Sequence, residues 1–256
     1  MPFDIEPFNR LRQIIAVLRS PEGCAWDRKQ THKSILPYLV EETYEVVEAV
    51  ENADSDDLRE ELGDLLCQVV FHCRLAEEAG EFDINDSING ISQKLISRHP
   101  HVFDKKRDLN PKEVRDQWEK IKVEEGDGKS VLGGIPKSAP ALLKAFRFGE
   151  KAAGVGFDWQ KPLEVMDKVK EEIQEIEAEI KSGDKDHLEE EIGDLLFVTA
   201  SLARKLEINP EQALNKTLTK FAKRFAYIEI KVKESGRKFG DFTLDELESF
   251  WQEAKE

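Results

Sequence analysis

Apolar residues recur along the chain at helical spacing. Leu11, Ile14, Ile15 and Leu18 share one helical face, as do Leu39, Thr43, Val46, Val47 and Val50, while two-residue alternation is nearly absent. The pattern predicts an all-α fold. Breakers fall between the periodic stretches: "RSPEGCAWD" around Pro21, "ENADSDD" around Ala53, "RHPHVF" around Pro100 and "KSGDKD" around Gly183 each read as a turn. The longest punctuated stretch, "EEGDGKSVLGGIPKSAP", has Gly and Pro in number and no period. It is expected to join an N-terminal domain over 1–123 to a C-terminal domain over 141–256, with 124–140 as the linker.

The two halves read as copies of one unit. "YLVEETYEVVEAVENADSDDLREELGDLL" from Tyr38 and "KVKEEIQEIEAEIKSGDKDHLEEEIGDLL" from Lys168, 130 residues later, match without a gap at twelve of twenty-nine positions, most of them acidic. Beyond the hairpin, "KLISRH" with Lys94 and Arg98 faces "KFAKRF" with Lys220 and Arg224. "QWEKIK" then faces "FWQEAK", setting Trp118 against Trp251 and Lys122 against Lys255. Each unit therefore runs acidic hairpin, basic helix, tryptophan helix.

The spacing of the acids predicts a metal site. Residues three apart on a helix project together, about 60° apart around its axis, as Glu172 and Glu175 do, and Glu191 and Asp194. In an antiparallel hairpin, residues equidistant from the turn lie level. Glu175 with Glu191 and Glu172 with Asp194 both centre on Gly183, and in the first copy Glu45 with Glu61 and Glu42 with Asp64 both centre on Ala53. Four converging carboxylates repel and raise one another's pKa unless a cation joins them. An oxygen-only set suits Mg²⁺ or Mn²⁺, and no histidine follows a glutamate by three residues, as a di-iron bundle requires. A lone ExxE reads as solvated surface; two pairs centred on one turn, twice, read as a metal site. Beside it, Lys220, Lys223 and Arg224 become candidates for holding phosphates. Gly63 and Gly193, inside strongly helical "EELGDLL" and "EEIGDLL", cost about 1 kcal/mol each relative to alanine, which close approach of another backbone would explain.

Composition narrows the function further. A net charge of −15 over 256 residues argues against an extended nucleic-acid surface. No apolar run reaches the length of a membrane span, and "MPFDIEPFNR" lacks the apolar core of a signal peptide, so a cytoplasmic protein is expected. Cys24, Cys67 and Cys73 are odd in number and lack CxxC spacing, which suits reduced structural thiols. "GKS" at Gly128, Lys129 and Ser130 is no phosphate-binding loop, because position 123 is valine and no strand precedes it. His32, His72, His99 and His101 read as structural or surface residues. Trp251 reads first as packing, with base stacking as the alternative.

With "EETYE", "EELGDLL", "EEIQE" and "EEIGDLL" in place, the chain resembles the MazG family of all-α bacterial nucleoside triphosphate pyrophosphohydrolases with tandem domains. "GCAWD" followed by "QTH", and "RHPHVF", carry the resemblance along nearly the whole chain; Ala25 stands where the family usually has proline, a departure expected to alter a loop and not the chemistry. The resemblance implies Mg²⁺-dependent cleavage of nucleoside triphosphates between the α- and β-phosphates with low base selectivity, and homodimers whose subunits complete each four-helix bundle. It implies metal ligands at Glu172, Glu175, Glu191 and Asp194, phosphate contacts at Lys168, Lys220 and Arg224, and Trp251 near the nucleoside. Glu171 and Glu190 are further acidic candidates. Tyr38 and Val40 stand where the second copy has Lys168 and Lys170, so the C-terminal domain is expected to be the main active site. Two alternatives stay open: a helical scaffold that binds nucleotide or protein without turnover, and a pyrophosphatase narrow for one aberrant nucleotide such as dUTP.

Overall fold

The computed structural model describes residues 6–111, 113, 114, 117, 118, 121 and 130–255. Lys122, Gly128, Lys129 and the expected linker as far as residue 129 lie outside the described residues. The fold is all-α: ten helices and no strand occur among the described residues. By contact they form two compact units, one up to Asp108 and one from Leu109 onward.

The first unit begins with α1 (Pro7–Arg19), whose start is fixed by the Glu6 carboxylate accepting from the Asn9 amide. Next comes the acidic hairpin of α2 (His32–Glu51) and α3 (Ser55–Ala79), then α4 (Ile84–Arg98) and the short α5 (Pro100–Phe103). α2 starts at a Thr31–Ser34 capping box and carries Pro37 within it. Its core joins Ile15, Ile35, Val70, Phe71 and Leu75, with Phe8, Leu11 and Cys67 packed alongside. Gly23 follows α1 where an added Cβ would stand 2.2 Å from the Val17 carbonyl oxygen, so only glycine fits.

The second unit repeats the plan. α6 (Ala141–Gly154) packs on the hairpin of α7 (Pro162–Ser182) and α8 (Lys185–Lys205), followed by the basic α9 (Pro210–Glu234) and the tryptophan helix α10 (Leu244–Glu253). Both hairpins turn on the residue at the centre of the acid pairs. Ala53 (φ 55°) and Gly183 (φ 79°) adopt the left-handed conformation, and Asp54 and Asp184 then cap α3 and α8. Among the described residues no partner explains the two helical glycines. A Cβ built on Gly63 or Gly193 meets nothing within 4 Å, so the expected close backbone approach is not made here.

An ion pair holds the approach to α10. Arg237 donates to Glu246 at 2.9 Å, and the Thr243 amide donates to the same carboxylate at 2.7 Å. Arg237, followed by the Thr243 amide, pulls Glu246 down to about 2 from an ordinary value near 4.5. The folded pKa is depressed, so this stabilisation is complete above about pH 4.5 and is lost as pH falls towards 2. The melting temperature of Glu246→Gln should therefore lie below wild type at neutral pH, with the gap closing on acidification through that window.

Candidate metal centre

The α7–α8 hairpin brings Glu172, Glu175 and Glu191 together, one carboxylate oxygen of each lying within 4.8 Å of the others. Glu172 is 3% exposed, an unusual position for an ionised side chain. Its partner is Lys168 one turn earlier, whose Nζ lies 2.9 Å from both Glu172 and Glu171. Those two acids, Glu171 first, push the lysine pKa well up, so it is an ammonium ion at any physiological pH. Burial, a hydrogen bond with Glu172 and the charge of Glu191 push the Glu175 carboxyl above its ordinary range.

The α2–α3 hairpin builds the same trio from Glu42, Glu45 and Glu61, again within 4.8 Å. Burial and the charge of Asp64 raise Glu42, which shares a hydrogen bond with Glu45; burial and then Glu45 raise Glu61. Here no lysine among the described residues pairs with the acids. Tyr38, the counterpart of Lys168, packs edge-on against Trp26 with ring centroids 6.0 Å apart. Both trios offer oxygen alone, and their crowding is relieved either by protons or by a hard divalent cation, so the donor chemistry fits Mg²⁺ or Mn²⁺. Asp64 and Asp194 are exposed and stand outside the mutually close trios, although Asp64 is near enough to raise two of its neighbours. Glu171 joins the site through Lys168, whereas Glu190 is exposed and acts on His187 one turn before it.

The basic candidates form a second group. Lys220 and Lys223 are exposed on α9, and the Arg224 guanidinium lies 5.5 Å from the centre of the Trp251 ring. Trp251 also meets Phe221 at 5.1 Å, and Phe221 stacks on Phe225. Among the described residues none of the four basic or tryptophan candidates forms an ion pair or hydrogen bond with the acidic trio. Sequence reasoning passed over Phe221 and Phe225; their i,i+4 spacing beside Arg224 was the available signal.

Among the described residues no histidine or cysteine joins either trio, although Cys67 lies near enough to Asp64 and Glu42 for burial and then their charges to push its thiol up. His32 and His72 stack with Nδ1 atoms 2.9 Å apart, and all three cysteines are free, Cys73 buried. No helix among the described residues is long and apolar enough to cross a membrane.

Both hairpins fall within matches to known proteins. The MazG nucleotide pyrophosphohydrolase domain matches twice, over residues 30–103 and 160–227, so each match spans one acidic hairpin and the helix after it. The nucleoside triphosphate pyrophosphohydrolase/pyrophosphatase MazG of Thermotoga maritima is 45% identical over 97% of this chain and 95% of its own length. The nucleoside triphosphate pyrophosphohydrolase of Escherichia coli K12 is 47% identical over 96% of each chain. Bacillus subtilis YabN, described as uncharacterized, is 44% identical over 97% of this chain but only 52% of its own length. With two acidic hairpins, two domain matches and full-length relatives in agreement, the chain belongs to the family of MazG nucleotide pyrophosphohydrolases.

Proposed function

We propose that the protein hydrolyses nucleoside triphosphates to the monophosphate and pyrophosphate with Mg²⁺, or Mn²⁺, and that the C-terminal unit is its main active site. The observation that carries this reading is Lys168 seated on Glu171 and Glu172 at the edge of the acidic trio, which sets a cation able to meet phosphate oxygens beside carboxylates able to hold a metal. Glu172, Glu175 and Glu191, with Asp194 at their side, would hold the cation. A bound divalent cation neutralises phosphate oxygens and polarises the anhydride under attack.

The remaining steps fall to this chain's own residues. Lys168, Lys220, Lys223 and Arg224 bind phosphate oxygens, a role in which arginine adds a planar fork and lysine a mobile point charge. A carboxylate of the set accepts a proton from the attacking water, and Glu175, whose carboxyl burial and its acidic neighbours hold above its ordinary range, is the candidate for it. Water adds at the α-phosphorus, the α–β anhydride bond breaks, and pyrophosphate leaves. Trp251, braced by Phe221 and Arg224, offers the base a stacking face without a hydrogen-bond pattern to read, which supports low base selectivity.

The first unit keeps its trio but has Tyr38 in place of the lysine, and it works weakly or regulates in this reading. Exposed apolar side chains on both hairpins, including Leu62 and Leu66 on α3 and Ile173 and Ile180 on α7, support a homodimer whose second copy completes each bundle. The acidic net charge supports a role without an extended nucleic-acid surface.

A substrate panel tests the function directly. Pyrophosphate release should be seen with several of ATP, GTP, CTP, UTP and dUTP, and only when Mg²⁺ is supplied. Release from dUTP alone would favour the narrow pyrophosphatase, and silence across the panel would favour a binding scaffold.

A further inference from the structure

The two carboxylates that Lys168 touches are not equivalent. Glu172 is almost wholly buried and belongs to the trio, whereas the Glu171 side chain is 56% exposed and stands outside it. Lys168 therefore sets a full positive charge against the most buried of the oxygens suited to a divalent cation. Two cations against one carboxylate repel strongly, because their interaction scales with the product of the charges and is little screened where water is excluded.

The internal repeat shows that this pair belongs to one unit alone. Tyr38, at the position of Lys168, lays its ring against Trp26, and Glu42 is pushed up by the carboxylates around it. The neighbouring lysine on α7 is also different. Lys170 pairs at 2.9 Å with Asp167, which is exposed and no member of the trio.

We propose that Lys168 competes with the divalent cation for Glu172, so that metal entry hands the lysine from the trio to the phosphates of the substrate and couples the two binding steps. This rests on the reading of the trio as the metal centre. Lysine carries a compact charge on a flexible stem, so Nζ can leave Glu172 while Glu171 keeps it at the rim. A doubly charged ion outcompetes one ammonium at clustered carboxylates. The ammonium has then lost one of its two acidic partners, and a phosphate oxygen replaces it with a charge-assisted hydrogen bond. By linkage the effect is reciprocal: phosphate that engages Lys168 removes the competitor and tightens the metal. In the first unit no lysine has to be displaced, so its trio takes the ion without this coupling.

Two measurements without turnover test the competition. The first is Mn²⁺ titration, followed by electron paramagnetic resonance of the free ion, on nucleotide-free full chain carrying Glu45→Gln and Glu61→Gln to weaken the first trio. Adding Lys168→Met should tighten Mn²⁺ about five- to tenfold, the range for removing one partly buried ion pair. Lys170→Met, which removes the same charge from an exposed pair two residues away, should change it by less than about twofold. The second uses the wild-type chain, where Mg²⁺ should speed chemical acetylation of Lys168 several-fold relative to Lys170, read by mass spectrometry. Unchanged or weaker Mn²⁺ binding in Lys168→Met, an equal gain in Lys170→Met, or acetylation of Lys168 indifferent to Mg²⁺ would each overturn the proposal. Glu175→Gln separates the two readings. If it binds Mn²⁺ as tightly as its parent, the trio is not the metal centre and both fall; if it binds more weakly while Lys168→Met does not tighten, only the competition falls.

Discussion

Glu175→Gln is expected to lower nucleoside triphosphate hydrolysis by about a thousandfold, the range for loss of a proton-accepting or charge-stabilising group, whereas Glu45→Gln should leave most of the activity. The two residues are counterparts in the repeat and belong to equivalent trios of oxygens. Their surroundings differ. Glu175 shares its hydrogen bond with Glu172, a carboxylate almost wholly buried beside the Lys168 ammonium; Glu45 neighbours Glu42, whose carboxyl the charges of Asp64, Glu45 and Glu61 push up. Glutamine keeps the shape of the side chain and removes its charge and basicity, so the comparison isolates chemistry from packing. Steady-state rates of pyrophosphate release by the two variants decide it. If only Glu45→Gln were inactive, the active unit would be the N-terminal one.

Lys168→Met should lower kcat/KM by about ten- to a hundredfold, as expected where one charged hydrogen bond to substrate is lost. It has a second consequence, independent of turnover. Glu172 is 3% exposed and Lys168 is the cation paired with it, so the variant leaves a buried carboxylate unpaired. Without metal the variant should therefore melt below wild type, and Mg²⁺ should restore more stability to it than to wild type, since the ion takes over the neutralising charge. Calorimetric melting of both proteins with chelator and with Mg²⁺ checks this. A variant that melts like wild type in chelator would show that Lys168 does not hold Glu172.

Much of this was legible in the residues because the information appears twice. The symmetry of the acids about Ala53 and Gly183 located both turns, and both residues adopt the left-handed conformation, even though alanine gives no such signal by itself. Equal distance from a turn sets height along a hairpin but not direction around each axis. Glu191 and Asp194 differ by one turn and about 60°, enough to leave the aspartate outside the closest trio. The basic group was readable as charge, but its bracing by Phe221 depends on how α9 and α10 pack, which spacing does not give. Gly63 and Gly193 suggested a close neighbour, and the described residues provide none.

The central claim is that this chain breaks the bond between the α- and β-phosphates at the trio of Glu172, Glu175 and Glu191. Phosphorus NMR of ATP turned over with Mg²⁺ tests it most directly. The account predicts AMP and pyrophosphate as the accumulating products, absent in Glu175→Gln. Accumulation of ADP and inorganic phosphate, or unchanged pyrophosphate formation by the variant, would contradict it.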